Sequence, residues 1–351
     1  MSKRNDSIGT DGFEFVEFAC ENPDYLQGVF SKIGFNLVGK HRSKNVLLYK
    51  QNDIHFLINA ESEGQSHHFA QTHGDSANGF AIRVKDANHA TNIAVQRGAK
   101  PVETNVGPME LSIPAFEGVG GSHLYLVDRY GDRTIYDVDF DLDETAFASA
   151  SGPLTFLDHL THNLFRGNLS KLADFYENVF EFHEAQYFQI HGVQTGLTSK
   201  AMTSACGKIR IPLNESADDK SQIEEFLHRY NGEGIQHIAL HTDNIFSAVD
   251  VLRANGVEFQ STPDTYYEAL NARVEGHGEN VEAMRERQIL LDGSPESGYL
   301  LQIFTVDLIG PIFFEIIQRR GNQGFGEGNF QALFESIERD QQLRGVLNET
   351  V

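Results

Sequence analysis

The sequence predicts an α+β protein of two domains, each built from modules with the element order βαβββ. Three observations support this prediction. The chain has 351 residues, which is more than one ordinary hydrophobic core contains. Short apolar runs typical of strands alternate with amphipathic helical patterns, and the same order of elements occurs twice. Between the two occurrences lies an acidic stretch rich in small residues, at positions 139–153, which is typical of a linker.

The elements of the first half each have a local signal. The strand-like runs are FEFVEFA, VLLYK, DIHFLINA, GFAIRV, LSIPAF, SHLYLVDR and TIYDVDF. One helical pattern, PDYLQGVFSKIG, ends on a glycine. The other, DANHATNIAVQRGAK, begins with an aspartate cap and also stops at a glycine.

The second half repeats this order. LTFLDHLTHN aligns with FEFVEFACEN, and LSKLADFYENVFEF aligns with the first helix. GIQHIALHTDNIFSAVDVLRANGVEF aligns with NGFAIRVKDANHATNIAVQRGAKPV, GYLLQIFTV with GSHLYLVDR, and GPIFFEIIQ with GDRTIYDVD. The alignment predicts one domain at 12–150 and a second at 151–351.

Composition limits the class of protein. With 40% hydrophobic and 22% charged residues the chain is expected to be globular. The 28 basic and 50 acidic residues give a net charge of -22, which argues against nucleic acid or an anionic membrane as a partner. Cys20 and Cys206 are too few for a disulfide framework, which favours a reducing cytoplasm. No signal peptide opens the chain and no apolar run reaches the roughly 20 residues of a membrane span, so we expect a soluble cytoplasmic protein.

Glu315 stands at the centre of the apolar run PIFFEIIQ. A carboxylate buried in such a strand is costly unless another group pairs with it. One interpretation is a salt bridge to Arg319 or Arg320, and the other is a metal ligand. The remaining histidines of the chain decide between the two.

Two histidines lie in strand-like runs of the second half, and they are equally spaced with Glu315 along the chain. They are His159 in TFLDHLTHN and His237 in GIQHIALHTD. By the alignment, the three positions fall opposite three aromatic residues of the first half, namely Phe18, Phe80 and Tyr136. For a single histidine a structural role is the commoner interpretation. Jointly the three residues indicate the two-histidine, one-carboxylate site of non-haem Fe(II) oxygenases, which leaves three coordination positions open.

Other histidines fit this site less well. His241 lies four residues after His237, about 13 Å along a strand, so both cannot bind one ion. His162 is an odd number of residues from His159 and should face the other side of the sheet. His183, His191 and His277 lie in less regular surroundings and are expected at the surface.

The C-terminal region combines a glycine-rich loop with an amphipathic helical pattern. The glycines are Gly321, Gly324, Gly326 and Gly328, and the helical pattern comprises Phe330, Leu333, Phe334 and Ile337. The loop lacks the spacing of a phosphate-binding loop. We interpret it as a hinge that lets the last helix move over an active site.

Six segments in this order strongly resemble the 4-hydroxyphenylpyruvate dioxygenase family: DHLTHN, KIRIPLNE, GIQHIAL, LLQIFT, FFEIIQR and GFGEGNFQALFESIE. The resemblance covers residues 12 to about 347. It implies the vicinal oxygen chelate fold, with an open barrel of paired βαβββ modules in each domain. It also implies Fe(II) in the second domain only, with a C-terminal helix over the active site.

The resemblance implies roles for individual residues. The iron ligands fall on His159, His237 and Glu315. The implied catalytic positions are Gln236, Gln302 and Phe330, and the implied substrate-binding positions are Ser199, Asn214, Gln222, Phe304, Phe313 and Phe325. Without the resemblance, the phenylalanines would be assigned to the core and Asn214 to a turn.

The implied reaction converts 4-hydroxyphenylpyruvate and O2 to homogentisate and CO2 in the catabolism of tyrosine and phenylalanine. The keto acid would chelate the iron through two oxygens and leave one position for O2. Phe313 and Phe330 would stack on the substrate ring. Ser199, Asn214 and Gln222 would form hydrogen bonds to its phenol or its carboxyl arm.

Three alternatives compete with this assignment. Hydroxymandelate synthase uses the same substrate and metal, but it usually has a smaller aliphatic residue at the position of Phe330 and often another residue at that of Pro212. A glyoxalase-type isomerase or extradiol enzyme of the same fold usually has four protein ligands, and only three are found here. A metal-free binding module is the third alternative, and the first half is expected to be such a module that supports a homo-oligomer, a dimer or a tetramer.

Overall fold

The computed structural model describes residues 6–104, 106–191, 196–219 and 221–333, and it contains two eight-stranded mixed sheets. The first sheet has the order β6-β7-β5-β1-β4-β3-β2-β8. Its strands are β1 (Thr10–Ala19), β2 (Asn36–His41), β3 (Val46–Gln51), β4 (Ile54–Asn59), β5 (Ser76–Val84), β6 (Ala115–Glu117), β7 (His123–Val127) and β8 (Phe140–Leu142).

The second sheet has the order β10-β11-β12-β9-β13-β16-β15-β14. Its strands are β9 (Leu157–Leu164), β10 (His183–His191), β11 (Gly196–Thr203), β12 (Arg210–Ser216), β13 (Gly234–His241), β14 (Leu290–Ser294), β15 (Gly298–Phe304) and β16 (Phe313–Arg320). In both sheets the central four strands pair parallel, antiparallel and parallel, as β4-β1-β5-β7 and as β12-β9-β13-β16. The predicted duplication is therefore confirmed.

Helices connect the strands and cover the sheets. They are α1 (Pro23–Ile33), α2 (Gly64–His73), α3 (Ala87–Gln96), α4 (Tyr136–Asp139), α5 (Glu144–Ser149), α6 (Leu169–Phe180), α7 (Gln222–Tyr230), α8 (Ile245–Ala254), α9 (Asp264–Arg273) and α10 (Val281–Arg287). Residues 327–333 are also helical. None of the helices in the described ranges is long and apolar enough to cross a membrane.

The helix ends follow the sequence signals. The Asn22 side chain accepts a hydrogen bond from the backbone N–H of Asp24 at the start of α1, and Gly34 ends that helix with φ +94°. The Asp86 carboxylate caps α3 by accepting from the backbone N–H of His89 at 2.8 Å. The predicted glycine end of α1 and the predicted aspartate cap of α3 are therefore confirmed.

One hydrophobic core joins the two halves of the chain. Aromatic pairs connect the sheets across it, with ring centroids 6.0 Å apart for Phe56 and Phe314. A smaller apolar cluster fills the opposite face of the first sheet and includes Phe15 and Ala81. The corresponding face of the second sheet carries the polar residues described below, so the two halves differ mainly in what this face holds.

The run TIYDVDF was predicted to be a strand, and that prediction is wrong. It forms the short helix α4, and only Phe140 at its end begins a strand, β8, which pairs with β2 at the far edge of the sheet. The predicted linker is also wrong over 140–149. These residues contain β8 and α5, which both belong to the first half.

The residue correspondence between the halves is corrected as well. The strand equivalent to β16 is β7, since each lies parallel to the equivalent neighbour, β13 or β5. Ala81 pairs with Phe15 and with Tyr125, as Ala239 pairs with His159 and with Glu315. The structural equivalents of the three predicted ligands are therefore Phe15, Gly79 and Tyr125. Phe18 lies three residues from Phe15 and Phe80 lies one residue from Gly79, and both are in the core between the halves, because an odd shift along a strand moves a side chain to the other face.

Candidate metal centre

Three neighbouring strands carry the predicted ligands. Ala239 of β13 lies directly between His159 of β9 and Glu315 of β16 in the register of the sheet. His237 precedes Ala239 by two residues, so its side chain projects from the same face. The strand order of the second sheet therefore directs all three side chains to one point.

The donor atoms of these side chains converge. The His159 Nε2 atom lies 3.1 Å from Glu315 Oε2, and the His237 Nε2 atom lies 3.4 Å from the same oxygen. All three residues are buried, and one donor atom of each lies within 4.8 Å of the others. Over the ranges that the structure describes, no other group of three histidine, cysteine or acidic side chains meets this criterion.

Hydrogen bonds at Nδ1 orient both imidazoles. His159 Nδ1 lies 2.8 Å from Asp158 Oδ1, and His237 Nδ1 lies 2.9 Å from Gln236 Oε1. Each Nδ1–H donates to an oxygen acceptor, which leaves the Nε2 lone pair available for a metal ion. The hydroxyl of Thr161 also contacts His237 Nε2 at 2.9 Å.

The predicted salt bridge between Glu315 and a neighbouring arginine is not found. Arg319 forms a two-pronged ion pair with Asp158, with N–O distances of 2.8 and 2.7 Å, and Arg320 pairs with Glu279. The only ionisable groups paired with the Glu315 carboxylate among the described residues are therefore the two histidines.

The electrostatics of the site reflect this pairing. Burial raises the pKa of Glu315, but the two histidines outweigh it and lower the pKa to about 2. Burial lowers the pKa of His159, but the Glu315 charge and the Asp158 hydrogen bond outweigh it, so the pKa of His159 is raised. The pKa of His237 is lowered, mainly by burial.

The residues present fit a divalent transition metal. Glu315 Oε1 is buried and has no hydrogen-bond partner among the described residues, although a buried carboxylate oxygen normally has one. Two imidazoles and one carboxylate are the donor set that non-haem Fe(II) sites use, and they leave coordination positions free. A metal ion would give the unpartnered oxygen and both Nε2 atoms a common partner.

Four phenylalanines surround these ligands. Phe313 stacks on the His237 ring at 5.0 Å, and Phe304 lies 5.9 Å from Phe313. The ring centroids of Phe330 and Phe304 lie 6.4 Å apart, and those of Phe325 and His159 lie 5.3 Å apart. These four rings form an aromatic wall, with residues from β15, from β16 and from the C-terminal segment, residues 321–333.

Three buried polar atoms of the second half have no hydrogen-bond partner within the part of the chain that the structure describes. They are Gln302 Nε2, Ser199 Oγ and Asn163 Nδ2. Ser199, Asn214 and Asn163 stand in one row across β11, β12 and β9, and Asn214 Nδ2 donates to Asn163 Oδ1 at 3.4 Å. Unsatisfied buried donors of this kind are rare and indicate a place for a ligand or water.

Asn163 and Thr161 were missed by the sequence reasoning. The alternation of side chains along β9 places His159, Thr161 and Asn163 on one face, because successive residues of a strand point to opposite sides. Within DHLTHN, the sequence predicts only a histidine as a site residue. The period of two along that strand was the signal that could have found the other two residues.

Gln222 does not join the site. It is the first residue of α7 and is exposed, whereas Ser199, Gln302 and Phe304 are buried. His162 points into the core, with its ring 5.9 Å from Phe80, as its odd spacing from His159 predicts. His241 stacks on Phe156 at 4.3 Å, away from His237.

The glycine-rich loop is a docked segment rather than a free hinge. A Cβ atom at Gly326 would overlap Gln302 Oε1, and one at Gly328 would overlap the carboxylate of Asp292. The Gly328 N–H donates to Asp292 at 2.8 Å. Phe334 and Ile337 of the predicted last helix lie outside the described residues.

The chain is similar to known families and proteins over nearly its whole length. Residues 4–141 match the family model described as hydroxyphenylpyruvate dioxygenase, N-terminal, and residues 156–281 match that of the glyoxalase, bleomycin resistance protein and dioxygenase superfamily. A 4-hydroxyphenylpyruvate dioxygenase of Pseudomonas aeruginosa is 57% identical over 98% of both chains. The protein named hemolysin VllY of Vibrio vulnificus is 57% identical over 97% of this chain and 98% of its own.

A solved structure agrees with these matches in fold. A variant of 4-hydroxymandelate synthase from Streptomyces coelicolor superposes with a TM-score of 0.83 at 26% identity, over 95% of this chain and 99% of that one. The predicted α+β, vicinal oxygen chelate fold in two domains is thereby confirmed. From the full-length identity, the chain belongs to the 4-hydroxyphenylpyruvate dioxygenase family.

Proposed function

We propose that this chain converts 4-hydroxyphenylpyruvate and O2 to homogentisate and CO2 at an Fe(II) ion bound by His159, His237 and Glu315. The observation that carries the proposal is the convergence of two imidazole Nε2 atoms on one buried carboxylate, whose second oxygen has no hydrogen-bond partner in the described ranges. Membership of the dioxygenase family supports the choice of substrate.

The protein holds the ligands ready for the metal. Asp158 and Gln236 fix the ring orientation of His159 and His237 through Nδ1, so each ligand atom already faces the site. When bound, Fe(II) supplies open coordination positions for the 2-keto acid and O2, together with the redox chemistry.

The four phenylalanines hold the substrate ring and exclude water. Phe313 stacks on the His237 ring and therefore lies beside the metal position, where it can contact the ring of a chelated substrate. Phe304 and Phe330 continue this wall, and Phe325 covers His159. An apolar enclosure of this kind protects the reaction from solvent.

The unpartnered polar groups orient the substrate. Gln302 Nε2 can donate to an oxygen of the substrate, while its Oε1 is held by Asn329 Nδ2 at 3.3 Å. The row of Ser199, Asn214 and Asn163 offers a hydroxyl and amide groups to the phenol or to the carboxyl arm. Gln222 has no part in this revised assignment, because it is exposed.

Product analysis tests the proposal. The protein is loaded anaerobically with Fe(II), then given 4-hydroxyphenylpyruvate and O2, and the products are identified by mass spectrometry. We expect homogentisate and CO2 in equal amounts, with one O2 consumed per turnover. Formation of 4-hydroxymandelate would contradict ring hydroxylation, and absence of turnover in the iron-loaded protein would contradict the enzyme assignment altogether.

We further propose that residues 12–150 form a metal-free domain and residues 151–351 the catalytic domain. The aromatic pair Phe15 and Tyr125, with ring centroids 5.5 Å apart, occupies in the first sheet the place that His159 and Glu315 occupy in the second. We also propose a cytoplasmic homo-oligomer, a dimer or a tetramer. Light scattering coupled to size exclusion chromatography measures its mass, and a monomer at micromolar concentration would contradict this.

A further inference from the structure

Arg319 contacts both the carboxylate that orients His159 and the loop that begins the C-terminal segment. It lies on β16, four residues after Glu315, and its side chain is only 7% exposed. Its Nε and Nη2 atoms donate to both oxygens of Asp158, at 2.8 and 2.7 Å. Its Nη1 atom donates to the carbonyl oxygens of Asn322 and Gly324, at 3.2 and 2.7 Å.

Through Asp158, the hydrogen bonds of Arg319 act on the proposed metal ligand His159. Asp158 is fully buried and accepts the Nδ1–H of His159 at 2.8 Å. The guanidinium holds the carboxylate in place, and the carboxylate sets the orientation of the imidazole. Arg210 adds a second positive charge, 3.7 Å from Asp158, so the carboxylate is held from two directions.

The same guanidinium also holds the beginning of the C-terminal segment, residues 321–333. The two carbonyls fix the loop that precedes Phe325, and the Phe325 ring lies 5.7 Å from the guanidinium and 5.3 Å from the His159 ring. Further along the segment, Asn329 is buried and accepts from the Tyr266 hydroxyl at 2.6 Å. The segment is therefore held at two points, at its beginning and at Asn329, beside the proposed metal position.

We propose that Arg319 is a positioning residue that couples the orientation of His159 to the docking of the segment 321–333. Metal binding and docking then stabilise each other, because both need the guanidinium in one place, and such coupling is reciprocal. The proposal rests on the ligand set proposed above. A lysine could not replace the arginine, since an ammonium is a point donor and cannot serve two carboxylate oxygens and two carbonyls in one plane.

The test compares Arg319→Lys with Arg320→Lys. The control residue is the next one on the same strand, but it forms a surface pair with Glu279. We expect Arg319→Lys to weaken Co(II) binding, followed by its visible absorption, about 10- to 100-fold, the usual effect of disturbing an outer partner of a metal ligand, here Asp158. The affinity of Arg320→Lys for Co(II) should stay within twofold of that of the unmodified protein.

A second readout does not depend on activity. In limited proteolysis, Co(II) should slow cleavage within 321–333 in the unmodified protein and in the control, but should have less than a threefold effect in Arg319→Lys. Equal protection by metal in Arg319→Lys and in the control would overturn the coupling. Unchanged Co(II) affinity in Arg319→Lys would overturn the positioning role.

A near-isosteric variant guards against misfolding of Arg319→Lys. Asp158→Asn should also weaken Co(II) binding. The double variant should bind Co(II) as tightly as the single variant with the lower affinity, because both residues act through one chain of contacts. Additive losses would overturn the proposal. Glu315→Ala separates this result from failure of the ligand set: if that variant keeps Co(II), the metal assignment itself is wrong.

Discussion

Substitution of Gly326 by alanine should release the C-terminal segment from the site. Gly326 has φ +76°, a conformation that costs an L-residue about 1–2 kcal/mol. The new Cβ atom would also displace Gln302 Oε1, which accepts from Asn329 Nδ2, and the lost hydrogen bond costs about 1 kcal/mol more. The sum, about 2–3 kcal/mol, acts against docking of residues 321–333.

At 1.4 kcal/mol per factor of ten, this cost raises the undocked fraction roughly 30- to 150-fold. Amide hydrogen exchange within 321–333 should accelerate by the same factor, because exchange there follows local opening. Turnover should fall as well, since Gln302 lies beside the aromatic wall. Gly131→Ala is the matched control: Gly131 also has positive φ, but a Cβ there meets no atom within 4 Å.

The control should lose stability by about 1–2 kcal/mol without faster exchange in 321–333. The reasoning is refuted if Gly326→Ala and Gly131→Ala exchange within threefold of each other over that segment. It is also refuted if exchange accelerates while turnover stays unchanged, because the docked segment would then have no part in enclosing the substrate.

Three further predictions concern the metal and the substrate. Glu315→Ala should abolish Co(II) binding and turnover while circular dichroism stays native, because the only acidic ligand is lost; an active, iron-loaded variant contradicts this. The affinity for Co(II) should fall about tenfold per pH unit below the raised pKa of His159 and level off above it, because the metal must displace that proton; a titration of affinity between pH 5 and 9 that is flat would contradict it. Gln222→Ala should leave kcat/KM within twofold because the residue is exposed, whereas Gln302→Ala should lower it at least tenfold; equal effects would restore Gln222 to the site.

The sequence by itself determined the duplicated architecture, the end of α1 at Gly34 and the cap of α3 at Asp86, and it predicts the three metal ligands. These features depend on local chemistry and on hydrophobic period, which neighbouring residues set. Glu315 was informative because a charge within an apolar strand needs a partner, whatever the rest of the fold. The family resemblance added the four phenylalanines, whose apolar character alone would have placed them in the core.

The tertiary structure decided everything that depends on which strands lie side by side. The register places Phe15, Gly79 and Tyr125, not Phe18, Phe80 and Tyr136, opposite the proposed metal ligands. Tyr136 lies in the short helix α4 and not in a strand, and in a sheet a shift by an odd number of residues reverses which face a side chain occupies.

Contacts between distant parts of the chain were likewise beyond the sequence. Arg319 meets Asp158 across 161 positions, and Gly326 fits against Gln302 only because the C-terminal segment folds back over β15. Local propensity holds no information on such pairs, since their energy arises only after the strands have assembled. The exposure of Gln222 follows from the same cause, because the start of α7 turns that side chain outward.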